Sequence, residues 1–272
     1  MVDSAHIGIS YQTGHVMIWN TIIISDLHLG TAGCKVDWIL DFLERNKCRT
    51  LILNGDIIDG WALSRGSRWR KRHTKVINKI LSISRTSDVI WLRGNHDEFL
   101  DDFLDTEMGN IQIKSEHILR VSKWNENDTF SDTRYYVFHG DAVDIFMLKY
   151  KWLSKIGSIG YDVALWVNDI YNKWRFWRGK KYLSISKPLK YYVKSAANYV
   201  NDFESTAAKM AEKHGCQGVI CGHIHQEADK WIGGVHYLNS GDWIENGTAI
   251  LIDGAGNITI WKYEEPDMLN GN

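Results

Sequence analysis

The sequence predicts a layered α/β domain. Three observations predict it: short apolar runs that stop abruptly at Gly, Asn, Asp or His, helical stripes between the first of those runs, and a burst of strands near the end. The first run, Thr21-Ile22-Ile23-Ile24, is β-branched and ends in "SDLHLG" (25–30). Over 36–45, Val36, Ile39, Leu40 and Leu43 fall at helical spacing. "TLILNGD" (50–56) reads as the next buried strand, and Val76, Ile77, Ile80, Leu81 and Ile83 form a second helical stripe over 74–84. "DVIWLRGNHD" (88–97), "RYYVFHGD" (134–141) and "GVICGHIH" (218–225) are further strands running into loops. "VHYLNSGD", "GTAILIDG" and "NITIWKY" then follow in quick succession, the last two joined by a turn at 253–257.

Composition excludes more than it selects. The chain has 272 residues, 44% hydrophobic and 24% charged, with a formal charge of −1, which fits a folded domain and points to no partner by charge. Cys34, Cys48, Cys216 and Cys221 form no C-x-x-C pair and are expected to be reduced thiols in a cytoplasmic protein. No run of 18 apolar residues suggests a transmembrane helix, and no basic-then-apolar start suggests a signal peptide. Residues 1–16 are expected to be an extension, with Met17 a candidate start, and 17–272 a single domain.

One stretch differs. Between Met147 and Val200 there are eleven Lys and Arg against two Asp, together with twelve aromatic residues. Val163, Val167, Ile170, Trp174 and Trp177 make one helical stripe. A second helix is expected to start at Ser186, carry Pro188 in its first turn, and stop at Gly215. Residues 145–213 therefore read as a helical insertion, a candidate lid. Cations interleaved with aromatics suit an anionic membrane surface on the inner face or an amphiphilic substrate. They also suit single-stranded nucleic acid, which the reading below makes the weaker expectation.

The chemistry collects at strand ends. Asp26 and His28, Asp56, Asn95-His96-Asp97, His139, and His223 with His225 all sit where an apolar run meets a loop, the edge at which open α/β sheets bind ligands. In extended backbone residues i and i+2 face the same side, so Asp26 and His28 are expected to point together, as are His223 and His225. Carboxylate, imidazole and amide donors without thiolate suit Mn2+, Fe or Zn2+ rather than a structural zinc site.

The ordered motifs "DLH", "NGDIID", "GNHD", "HGD" and "GHIH" resemble the signature of the calcineurin-like metallophosphoesterases, over a span from about Thr21 to Tyr263. Within that superfamily, "SDLHLG", "GDIIDGW", the insertion after "HGD" and "GDW" after "GHIH" are most similar to the UDP-2,3-diacylglucosamine diphosphatases of lipid A synthesis. The resemblance implies a four-layer α/β/β/α sandwich with two facing mixed sheets and a helical insertion. It implies two divalent cations, Mn2+ foremost. One would be held by Asp26, His28, Asp56 and His225; the other by Asp56, Asn95, His139 and His223, with Asp56 shared. His96 would act on the phosphoryl group or the leaving oxygen, with Asp97 orienting it, and Asp141 would be a partner for His139. Where this chain has His96, the lipid A enzymes usually carry Arg.

The implied activity is hydrolysis of a phosphoester or pyrophosphate bond in an amphiphilic phosphorylated substrate such as UDP-2,3-diacylglucosamine. A metal-dependent phosphodiesterase or nuclease acting on nucleotides is the alternative. A non-catalytic scaffold for membrane or protein is less favoured, since all seven expected ligands are present. Asp59 is expected only to cap the helix after its strand, and Asn239 and Asp242 either to line the site or to make a turn.

Overall fold

The computed structural model describes residues 17–124, 130–144 and 187–264. The expected extension 1–16, the Ser186 cap and the stripe from Val163 to Trp177 lie outside the described residues.

Seven strands form the first sheet. Met17–Ile24 (β1), Asn46–Asn54 (β2), Asp88–Leu92 (β3) and Ile111–Lys114 (β5) run parallel at its centre. Thr106–Met108 (β4) closes one side, and Thr248–Ile252 (β11) and Ile258–Lys262 (β12) the other, all antiparallel to their neighbours. The second sheet has five strands in the order β6-β7-β8-β10-β9. These are Glu116–Trp124 (β6), Phe130–Phe138 (β7), Gly218–Cys221 (β8), Ala228–Ile232 (β9) and Val235–Asn239 (β10). β7, β8 and β10 are mutually parallel, while β6 and β9 pair antiparallel at the edges. Strands β4, β5, β6 and β9 were not foreseen. They are short or mixed in polarity, so alternation alone does not mark them.

Successive residues of a strand face opposite sides, and here each side has its own core. Ile22, Ile24, Leu51, Leu53, Val89 and Trp91 pack outward against Val36, Ile39, Phe42 and Leu43 of helix Val36–Arg45 (α1) and Val76 and Ile80 of Lys71–Ile83 (α3). Between those helices lies the short helix Gly60–Ser64 (α2). Ile23, Ile52 and Ile90 face inward and meet Leu119, Val121, Tyr135, Val137, Ile220 and Leu238 of the second sheet. On the far face, Tyr136, Phe138, Val219, Cys221 and Tyr237 pack against Phe203, Ala207, Ala208 and Ala211 of helix Lys187–Lys213 (α4). Three apolar layers separate four layers of structure, the expected α/β/β/α sandwich. The four cysteines are free.

The C-terminal half of α4 is thus the fourth layer of the domain, although its sequence fell inside the expected insertion. Its alanines let the helix approach the sheet closely. Gly215, at φ +66°, turns the chain out of the helix, and the Cys216 amide donates back to the Ala211 carbonyl at 2.9 Å.

This layering makes a stability contrast. Leu238→Ala, fully buried between the sheets, should cost about 2–5 kcal/mol in urea unfolding. Ile18→Ala, 76% exposed on β1, should stay within about 0.5 kcal/mol of the parent.

Candidate metal centre

Because the central strands of both sheets are parallel, their C-terminal ends share an edge. The residues following β1, β2, β3, β7, β8 and β10 gather there. The segment after β1 runs beside the segment after β2: the Asp26 amide donates to the Gly55 carbonyl (3.1 Å), His28 to Asp56 (2.9 Å) and Leu29 to Ile57 (2.9 Å). This ladder aligns the D-x-H motif with "GDII".

Three groups of ligand-type atoms form, each within 4.8 Å: Asp26, His28 and His225; Asp26, Asp56 and His139; and His28, Asp56 and His96. His225 Nε2 and His139 Nε2 lie 3.3 Å from Asp26 Oδ1 and Asp56 Oδ2 respectively, and His28 Nε2 is 3.7 Å from Asp56 Oδ2. Asp26 and Asp56 appear in two groups each, so the chain has placed two carboxylates at the middle of a ring of imidazoles. Asn95 and His223 lie on the loops that complete this edge, and His223 joins none of these groups of acidic and imidazole side chains.

The polar atoms facing this point are poorly satisfied by protein. Asp26 Oδ1, Asn95 Oδ1 and His139 Nε2 are buried and make no hydrogen bond of acceptable geometry. Buried polar atoms without partners are rare and each costs about 1–3 kcal/mol. Three together, all donors of lone pairs, fit a cation. The histidine tautomers agree. His139 Nδ1–H donates to the Asn54 carbonyl at 2.9 Å, and His28 Nδ1–H to Asp59 Oδ2 at 3.0 Å, which turns both Nε2 lone pairs inward.

A family model for calcineurin-like phosphoesterases matches residues 20–227. The chain belongs to the calcineurin-like phosphoesterase family. The family and the donor set agree on a divalent-metal site serving phosphoester hydrolysis. Among solved structures, Vacuolar Protein Sorting 29 from Cryptosporidium parvum is 10% identical, covering 90% of this chain and 97% of that one, with a TM-score of 0.43. The phosphoesterase Yfce from E. coli is 12% identical, covering 89% and 97%, with a TM-score of 0.40. An archaeal phosphodiesterase is 14% identical, covering 89% and 99%, with a TM-score of 0.39. A search of curated proteins found no match.

Several expectations for this phosphoesterase need correcting. Asp26 and His28 are not in extended backbone. Their φ angles are +54° and +46°, and Asp56, His223 and His225 are also left-handed, at +53°, +70° and +55°. The strand has ended before the motif begins, and a coiled loop, not strand alternation, brings the side chains together. Such conformations cost about 1 kcal/mol or more each and gather at functional sites. The partner of His139 is the Asn54 carbonyl and not Asp141, whose carboxylate pairs with Arg93.

Asp97 is a brace. Its oxygens accept the amides of Gly94 (2.5 Å), Ile57 (3.0 Å) and Asp56 (3.4 Å) and the Trp91 indole (3.2 Å), tying the β3 loop to the β2 loop. The side chain against His96 is Asp59, whose Oδ1 lies 3.0 Å from His96 Nδ1. Asp59 does cap α2, accepting the Ala62 amide at 2.6 Å. It also holds His28, and that second role was missed. Its position three residues after Asp56 was the available signal. Asn239 and Asp242 are both fully buried and make turns: Asn239 Oδ1 accepts the Gly241 amide, and Asp242 Oδ1 accepts the Ile244 and Glu245 amides.

Electrostatics follow from this crowding. Burial pushes the Asp56 carboxyl up, but His139 beside it and the His96 amide more than reverse this, holding it well below the usual range. Burial alone would lower His139; the adjacent Asp56 and Asp26 instead raise it to about 10. Burial holds His28 below its ordinary value despite the same carboxylates, leaving a neutral imidazole suited to ligation. Asp97 is raised, by burial and then by Asp56.

Two tests follow. A methyl group on Gly94 would sit 2.3 Å from Asp56 Oδ1 and 2.4 Å from its amide nitrogen. Gly94→Ala should therefore displace the shared carboxylate and abolish stoichiometric metal uptake, read by elemental analysis. In metal-free protein, a raised His139 contributes stability that is complete below about 6.5 and disappears as pH rises through about 10. The melting temperature of chelated protein should fall across that interval, and His139→Gln should remove the fall.

Proposed function

We propose that this phosphoesterase hydrolyses a pyrophosphate bond in UDP-2,3-diacylglucosamine or a related lipid or nucleotide-sugar diphosphate, using two Mn2+ ions. The observation that carries the reaction class is the convergence of buried, unsatisfied ligand atoms on Asp26 and Asp56. The substrate rests on "SDLHLG", "GDIIDGW" and "GDW", and on the basic, aromatic stretch 147–200. We assign that stretch to acyl-chain binding or to an anionic membrane surface. Among the described residues no helix is long and apolar enough to cross a membrane.

The residues divide the work. Asp26, His28, Asp56 and His225 would hold one cation, and Asp56, Asn95, His139 and His223 the other. When bound, the pair supplies polarisation of the phosphoryl oxygens and acidification of a water. Asp56 is common to both sets and would be shared between them. Asn95 offers an oxygen without adding negative charge beside an anionic substrate. Asp59 Oδ1 lies 3.0 Å from His96 Nδ1 without a hydrogen bond of acceptable geometry; pairing there would leave Nε2 for the phosphoryl group and for giving a proton to the leaving oxygen. One carboxylate would thus set both a metal ligand and the acid. The Trp61 ring, 36% exposed, lies 4.4 Å from the His96 ring and is anchored by its indole N–H on Glu98.

That exposed ring, together with His96 in the place of the usual Arg, favours a second reading. A nucleotide phosphodiester could stack its base on Trp61 and need no bidentate cation.

Substrate comparison separates the two. Mn2+-loaded protein should cleave UDP-2,3-diacylglucosamine to UMP and lipid phosphate, and much prefer it to UDP-glucose and bis-p-nitrophenyl phosphate. Cleavage of the small esters with no gain from acyl chains would replace the lipid reading with the nucleotide one. Asp56→Asn should lose both metal and turnover, and survival of both would sink the site assignment. His96→Ala should keep its metal while kcat falls about 10²–10⁴-fold.

A further inference from the structure

We infer that Asp144 is a positioning residue for the metal centre, fixing through His223 Nε2 which ring nitrogen of His223 faces the second cation. The inference rests on the dinuclear reading above. His28 and His139 are both held at Nδ1, by Asp59 and by the Asn54 carbonyl, and present Nε2. His223 is held the other way round: its Nε2 lies 2.8 Å from Asp144 Oδ2. The ring nitrogen left for a cation is Nδ1. Nothing in the "GHIH" motif distinguishes these cases, since the distinction lies in a carboxylate 79 residues away.

Among the described residues, the rest of the surroundings leave the ring one freedom. The His223 amide donates to Asp26 Oδ2 at 3.1 Å, which fixes its backbone against the first ligand group. A methyl on Gly140 would stand 2.9 Å from His223 Cβ, so the chain behind is closely packed. The His139 ring lies edge-on at 5.2 Å, and the Phe203 ring is stacked at 6.0 Å. Packing of this kind fixes the plane of an imidazole but neither tells its nitrogens from its carbons nor places the proton. A half-turn of the ring would put Cδ2 where Nδ1 stands and Cε1 where Nε2 stands at small steric cost, and the other tautomer would move the lone pair from Nδ1 to Nε2. The Asp144 carboxylate breaks that symmetry, because it demands a donor and so places the proton on Nε2. Tyr199 on α4 donates its hydroxyl to Asp144 Oδ1 at 2.7 Å and holds the carboxylate in turn. The outer helix therefore reaches the metal centre through Tyr199, Asp144 and His223.

The test is calorimetric Mn2+ titration of the full chain, with histidine side-chain nitrogen NMR on metal-free protein. Wild type should bind two equivalents. Asp144→Ala should retain the equivalent held by Asp26, His28, Asp56 and His225 and bind the other about 10–100-fold more weakly. Tyr199→Phe, which removes the hydrogen bond to Asp144 Oδ1, should shift the same equivalent less, and Asp144→Glu should partly restore it. In the spectra, the His223 signal, identified by its loss in His223→Gln, should report the proton on Nε2 in wild type and a tautomer mixture in Asp144→Ala. A purely structural role would leave that signal unmoved. If Asp144→Ala fails to fold, Tyr199→Phe carries the test. Two equivalents of unchanged affinity in the variants, or a wild-type His223 protonated on Nδ1, overturns the inference while leaving the dinuclear centre standing. A wild type that takes up fewer than two equivalents overturns both.

Discussion

Two buried carboxylates, Asp26 and Asp56, constrain everything around them. Both are almost wholly removed from water, and they share neighbours. Burying an anion costs several kcal/mol unless positive charge and hydrogen bonds compensate it. The protein supplies only part of that. His139 and His225 approach at 3.3 Å, and the His96 and His223 amides each donate to one of the two carboxylates. Asp26 Oδ1, Asn95 Oδ1 and His139 Nε2 are still left without good partners. A site built this way is completed by cations. The same field that would keep a proton on His139 attracts a metal in its place.

The fold exists to hold that arrangement against its own cost. Five left-handed non-glycine residues within one site, at about 1 kcal/mol or more each, are a sizable fraction of the ~5–15 kcal/mol by which a domain is stable. Three continuous apolar layers of Ile, Leu, Val and aromatic side chains offset it. Parallel strands in both sheets bring the loops to one edge, and glycines such as Gly94 let the shared carboxylate approach the backbone. Stability is concentrated in the layers and strain at the rim.

Residues of one type do opposite work here because their surroundings differ. Asp56 is held ionised by His139, the form that can hold a cation. Asp97, 41 residues along, is pushed up by burial and by Asp56, and ties backbone amides of two loops together. Asp59 reaches two histidines and a helix N-terminus at once. The imidazoles divide in the same manner: His28 and His139 turn Nε2 inward, while His223 gives its Nε2 to Asp144.

The sequence by itself determined the residue types at the strand ends, the order of the motifs and most of the sheet core. Those signals are local: β-branched runs, helical stripes and loop residues directly after strands. It also placed the end of α4 at Gly215, where a left-handed residue was needed. Tertiary structure alone decided the rest. Asp26 and His28 come together without strand alternation, because the backbone there is coiled and contacts from another strand's loop align it. The partners of His28, His96, His139 and His223 come from Asp59, Asn54 and Asp144, separated from them by 31 to 85 residues. Spacing along a chain carries no information about contacts at that separation. The outer layer formed by α4 was hidden for a related reason. A helix that covers a sheet and a helix within an insertion share the same apolar stripe, and only the sheet beneath tells them apart.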